Sequence, residues 1–89
     1  MELQYVRYFI ALCEEHHFGK AAKRCGITQP SLTNAIKRFE ESFGGALFIR
    51  CPSVEPTPLA LAIKPDLERM LLLAEQAKLK ADQLIRTKS

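Results

Sequence analysis

The 89-residue sequence predicts a mainly α fold: three short helices, a small β hairpin and a long terminal helix. Three observations lead there. Apolar side chains recur at three-and-four spacing in separate early segments, glycines punctuate those segments at Gly26, Gly44 and Gly45, and one uninterrupted heptad runs through the last third. A hydrophobic content of 47% in a chain this short fills one core and leaves nothing for a second.

The first helix is placed over residues 2–15, where Leu3, Val6, Phe9, Ile10 and Cys13 form one stripe and Gln4, Arg7, Glu14 and Glu15 fall off it. His16 and His17 interrupt the pattern. Phe18 and Gly19 then lead into a second helix over residues 20–25, whose Ala21 and Ala22 permit close packing and which Gly26 stops in the usual C-terminal position. Thr28 is the candidate N-cap of a third helix, with Pro30 in the first turn, where its missing N–H costs nothing. Leu32, Ile36, Phe39 and Phe43 form its inward stripe, and Gly44 and Gly45 end it. Gln29, Ser31, Thr33, Asn34, Lys37 and Arg38 are left on the outward or flanking surface, all able to hydrogen-bond, as the residues of a merely solvated helix face also are.

Residues 46–49 are short, apolar and β-compatible, and Arg50, Cys51, Pro52, Ser53, Val54, Pro56 and Pro58 follow. This reads as a small hairpin or wing whose prolines allow only short edge pairing. From about Leu59 the seam Ala60, Ile63, Leu67, Met70, Ala74, Ala77, Ala81 and Leu84 steps alternately by three and four residues, which is a heptad pattern. A helix over residues 59–86 would be roughly 40 Å long, more than a domain of this size covers with its own core. A second copy of the chain is the expected cover, with Ile63, Leu67, Met70, Ala74, Ala77, Ala81 and Leu84 at the dimer interface, while Leu71, Leu73 and Leu79 widen the buried face or meet the first helix. The expected division is therefore residues 1–58 as one globular unit and residues 59–89 as a linker and dimerisation helix.

Charge and cysteine content exclude several classes. The net charge of +3 is far from the basic blocks of disordered nucleic-acid tails, but residues 20–50 hold Lys20, Lys23, Arg24, Lys37, Arg38 and Arg50 against Glu40 and Glu41, so any phosphate is expected there. Cys13, Cys25 and Cys51 are odd in number and spaced for neither a disulfide framework nor a metal knuckle. Cys13 and Cys25 read as core residues and Cys51 as an inert surface thiol in the wing. His16 and His17 have no third ligand at helical spacing, so no metal and no cofactor is expected, and the pair is assigned a loop or capping role. No nucleophile–base pair, paired-acid motif or glycine-rich phosphate loop can be assembled, which argues against an enzyme. The N-terminus lacks the features of a signal peptide, and no apolar run approaches the ~18 residues of a membrane span, so the expected setting is the cytoplasm.

A glycine-terminated second helix followed by a capped third is the pattern of a helix-turn-helix, in which the second member enters the DNA major groove and the first crosses the backbone. Ala22, Gly26 and Leu32 fall at the offsets of a small contact residue, a turn glycine and a core anchor, with Cys25 and Ile27 flanking the turn as apolar wedges. The run from Leu3 to Ile49, and within it residues 28–31 with Leu32, Ile36 and Glu40, resembles the N-terminal DNA-binding domain of LysR-type transcriptional regulators. Arg50, Thr57 and Pro65 match that family's wing arginine, the threonine opening its linker helix and a proline inside it.

The resemblance implies a winged helix-turn-helix that binds a double-stranded DNA operator as a homodimer, with a tetramer open to a full-length regulator, and an effector-binding domain beyond the linker helix that this sequence does not contain. It places Gln29, Pro30, Ser31 and Thr33 at base edges or nearby phosphates, with Asn34 beside them. Their chemistry agrees: a carboxamide can pair with adenine, proline offers an apolar surface to a thymine methyl, and a hydroxyl bonds either base or phosphate. Lys20, Thr28, Lys37, Arg38 and Arg50 are the expected backbone contacts. Asn34 stands where the family frequently has arginine, Gly19 where it commonly has a hydroxyl residue, and Glu55 makes this wing less basic than usual. The competing reading is a protein-interaction module in which the heptad helix docks on a partner and no DNA is bound.

Overall fold

A computed structural model describes residues 1–88, in the order α1 (Leu3–Glu15), α2 (Phe18–Cys25), α3 (Gln29–Phe43), β1 (Phe48–Ile49), β2 (Glu55–Pro56) and α4 (Pro58–Lys88). This is the expected mainly helical fold with a two-stranded antiparallel wing. Ser89, at the end of the predicted helical segment, lies outside the described residues.

Local chemistry sets the helix ends. α1 stops where His16 turns left-handed, at φ 56°, with its N–H on the Leu12 carbonyl. α2 opens two residues earlier than predicted because the His17 ring acts as its cap: Nδ1 accepts from the Lys20 amide at 3.0 Å. It closes at Gly26, φ 70°, where the Gly26 amide bonds the Lys23 carbonyl and the Ile27 amide bonds that of Ala22. That pair of bonds needs a left-handed residue between them, which a Cβ would strain. α3 begins at the predicted cap, the Thr28 Oγ1 accepting from the Ser31 amide at 3.2 Å, and ends in the same paired closure at Gly44 and Gly45.

The core gathers Val6, Phe9 and Leu12 of α1, Leu32, Ile36 and Phe39 of α3, Leu47 and Phe48 at the wing, and Ala60 and Leu67 of α4. Phe9 is its hub, with ring centroids 5.8 Å from Phe39 and 5.7 Å from Phe48. Burying each such ring contributes about 1.5–3 kcal/mol, so three of them hold α1, α3 and the wing as one body. Leu3, predicted on the inward stripe, stays exposed at the end of α1. Cys13 is buried as expected, and burial pushes its thiol up to about 11; Cys25 is only half-buried, its thiol also raised by burial.

The wing pairs Phe48 with Pro56 and Ile49 with Glu55. Two residues per strand is what Pro56 permits, since it has no N–H to extend the ladder. The Thr57 amide then donates to the Leu47 carbonyl at 2.9 Å, and Thr57 opens α4. α4 starts at Pro58, one residue before the predicted boundary, because proline suits the first helical position.

α4 divides lengthwise. Ala60 and Leu67 are buried in the chain's own core, with Ile63, Met70 and Leu71 packed against it. Beyond, Leu72, Leu73, Ala77, Leu79, Ala81, Leu84 and Ile85 are exposed. The heptad seam is thus one sequence pattern with two occupants: its first half packs within the chain, Leu67 being only 5% exposed, and its second half lies open. Of the two leucines expected to widen the buried face together with Leu71, Leu73 and Leu79 point to solvent. No helix among the described residues is long and apolar enough to cross a membrane.

Candidate nucleic-acid interface

The exposed side of α3 is built by its period. Gln29, Thr33 and Lys37 follow one another at four-residue steps along one line, and Pro30, Asn34 and Arg38 along the next, while Leu32, Ile36 and Phe39 anchor the opposite side in the core. Gln29, Pro30, Thr33 and Asn34 border one shallow concavity, and Ser31, Asn34 and Arg38 border a neighbouring one shared with Tyr5 and Ile27. The predicted base-reading residues are therefore contiguous and, apart from half-buried Thr33, exposed.

The turn between α2 and α3 brings Gln29 beside the start of α2. A Cβ on Gly19 would lie 3.4 Å from Gln29 Oε1 and 2.9 Å from the His17 ring, so the bare glycine leaves room for the capping imidazole and the carboxamide together. Lys20 stands exposed in the same first turn.

Thr28 has a structural duty. Its Oγ1 accepts from the Ser31 amide and donates to Ser31 Oγ at 2.8 Å, so its one proton is already engaged and the Ser31 hydroxyl keeps its own for an outside acceptor. Two of the six basic residues counted between 20 and 50 are also engaged. Arg24 pairs with Glu14 at 2.6 Å and Glu15 at 3.2 Å, which raises its pKa through those hydrogen bonds and ties α2 to α1. Arg50 pairs with Glu40 at 3.2 Å. Lys20, Lys23, Lys37 and Arg38 stand outside the ion pairs found among the described residues and supply the positive charge of this face.

Sequence reasoning missed two contacts that seat the wing. The sequence marks Glu40 as a negative charge and as part of the family motif but assigns it no partner, yet its carboxylate accepts from the Leu47 amide at 2.8 Å, the Phe48 amide at 3.3 Å and the Arg50 guanidinium. A signal was present: Glu40 continues the Leu32–Ile36 line by four residues, where a hydrocarbon is expected. On the other side the His16 ring, through Nδ1, meets the Val54 carbonyl at 3.1 Å and Glu55 at 3.3 Å. Nothing local in the sequence points to that pairing across 38 residues. Cys51 is exposed at the tip of the wing, as expected, and no group of three or more candidate metal ligands occurs among the described residues.

Three helices, a paired wing and an exposed polar third helix define a winged helix-turn-helix protein. Residues 3–61 match the lysR family of bacterial regulatory helix-turn-helix proteins, and the chain belongs to that family. It is 45% identical over 87 residues to the HTH-type transcriptional regulator BudR of Klebsiella aerogenes, covering 97% of this chain and 61% of that protein. It is 54% identical over 50 residues to the regulator AlsR of Bacillus subtilis, covering 56% of this chain and 17% of that protein. The chain thus spans less than two thirds of the length of these relatives. Among solved structures it is similar to the DNA-binding domain of CbnR in complex with DNA, with a TM-score of 0.87 and 30% identity over 96% of this chain and 99% of that one.

Proposed function

We propose that this chain binds double-stranded DNA sequence-specifically as the dimeric operator-reading end of a LysR-type transcriptional regulator in the cytoplasm. The observation that carries the reading is the outer face of α3: a contiguous polar surface of Gln29, Pro30, Ser31, Thr33 and Asn34, followed by Lys37 and Arg38, on a helix held rigidly from behind. A helix of this kind fits the major groove, and its N-terminal turn is the part that reaches base edges. That the similar CbnR domain was solved in complex with DNA supports the DNA-binding reading.

In this reading Gln29 pairs with a base edge, Pro30 meets a thymine methyl, and Ser31, Thr33 and Asn34 complete the readout. Lys37 and Arg38 contact phosphates on one side of the groove, Lys20 contacts them at the start of α2, and Arg50 does so from the wing. Thr28 acts through the cap that orients Ser31. Residues 1–58 form the DNA-binding unit and residues 59–89 the linker. The second half of α4, with half-buried Ala74 and exposed Ala77, Ala81 and Leu84, pairs with the same helix of a second copy, while Ile63, Leu67 and Met70 chiefly serve the chain's own core. A pair of units then reads a two-fold symmetric site.

Selection from a random duplex pool by the purified chain tests this directly. Recovered sequences should carry two inverted half-sites at a fixed spacing. Failure to retain any duplex at low ionic strength overturns the reading.

A further inference from the structure

Two backbone amides and one guanidinium, all from the segment around β1, converge on one side chain at the base of the wing. Glu40, on the last turns of α3, is only 16% exposed. One of its oxygens, Oε2, accepts from the Leu47 and Phe48 amides at the entry to β1, and the other, Oε1, accepts from Arg50 at 3.2 Å. The guanidinium of Arg50 in turn lies 4.9 Å over the ring of Phe18, the first residue of α2. Arg50 is thus held between a carboxylate on α3 and an aromatic face on α2, while 44% of its side chain remains exposed.

We propose that Glu40 is a positioning residue for DNA binding, which sets the wing against α3 and aims Arg50 at a phosphate beside the groove. A guanidinium has five N–H donors in a planar fork, so engagement with Oε1 fixes its plane and leaves other donors for a phosphate. Without the carboxylate, the long side chain would have to be ordered from many rotamers at the moment of binding. The assignment rests on the DNA-binding reading above. Its chemistry has an unusual sign: Glu40 is an acid near a polyanion, so bulk electrostatics alone predict that removing its charge tightens binding. Positioning predicts the reverse.

The test is a double-mutant cycle on the full chain, using a duplex recovered by selection with the native chain and titrated at several salt concentrations. Glu40→Gln is the informative variant, because the Gln oxygen can still accept the Leu47 and Phe48 amides while its NH2 group cannot accept from Arg50. Glu40→Gln is expected to weaken binding about tenfold and to lower the salt slope by about one unit per half-site, as Arg50→Ala does. In an Arg50→Ala background the same change should cause no further loss, or a slight gain from the removed negative charge. Circular dichroism and the urea midpoint report whether each variant is folded. If Glu40→Gln strengthens binding or leaves it unchanged in the native background, or weakens it equally with and without Arg50, the assignment is overturned while DNA binding stands. A native chain that retains no duplex overturns both.

Discussion

The Thr57 hydroxyl donates to the Ala46 carbonyl at 2.8 Å and accepts from the Ala60 amide at 3.2 Å, so a single side chain closes the base of the wing and starts α4. Both bonds are at least partly buried, and Thr57 is the one buried polar side chain among the described residues. Thr57→Val keeps the shape and removes both bonds, leaving the Ala46 carbonyl and the Ala60 amide without the hydroxyl. It should cost about 1–3 kcal/mol, read from the urea midpoint, with Thr57→Ser recovering most of the loss. A Thr57→Val protein as stable as the native one would show that neither bond matters to the joint.

Gln29 stands at the exposed first turn of α3, where the missing side chain of Gly19 leaves room for its carboxamide. Gln29→Ala should weaken binding to the selected duplex by about 1–3 kcal/mol and leave affinity for unrelated DNA nearly intact. Equal losses on both duplexes, measured by fluorescence anisotropy, would remove it from the base-reading set.

Lys37 and Arg38 are exposed a little over two turns further on, outside the ion pairs described above. A phosphate contact made by a free cation releases counterions. Lys37→Ala should therefore flatten log K against log[salt] by about one unit per half-site and weaken all sequences alike. An unchanged slope would assign Lys37 to a solvated face.

Leu84 is 65% exposed, whereas Met70 is packed against the chain's own core, so substitution at Leu84 perturbs a partner surface with little effect on the monomer. Leu84→Asp should shift sedimentation from dimer to monomer at concentrations where the native chain is paired. The urea midpoint of the domain should change by no more than about 0.5 kcal/mol equivalent. DNA affinity should fall with dimerisation, because two linked half-site contacts become one. A native chain that sediments as a monomer at all concentrations would refute this use of α4.

Cys13 has a pH consequence with a definite sign. Burial raises its folded pKa from the ordinary 9.0 to about 11, so between those values the unfolded chain releases a proton that the folded chain keeps. This contribution to stability is complete below pH 9 and declines as pH rises from about 9 to about 11. Cys13→Ala should flatten that part of the stability profile. Exposed Cys51 should react with a thiol reagent in the native state, and buried Cys13 only on unfolding.

Much of this molecule was written locally. The caps at Thr28, Gly26 and Gly44 were readable because they depend on bonds spanning three to five residues, and the polar face of α3 because a 3.6-residue period assigns sides without knowledge of the neighbour. The start of α2 was misplaced by two residues because an imidazole served as the cap, a role more usually filled by Ser, Thr, Asp or Asn. The α4 seam was readable as apolar but not as divided, since the same spacing packs against a chain's own core or against a partner.

By itself the sequence determined the helices of the first half, the short wing and the face of α3, and its family resemblance supplied the residues proposed to meet DNA. Tertiary structure alone decided that Glu40 grips Leu47, Phe48 and Arg50, that His16 reaches Val54 and Glu55, and that Leu67 turns inward while Leu84 stays open. The physical reason is distance along the chain. Caps and periodic stripes are short-range consequences of backbone geometry, whereas a carboxylate's partners and a stripe's occupant depend on which distant segments the packed core brings alongside.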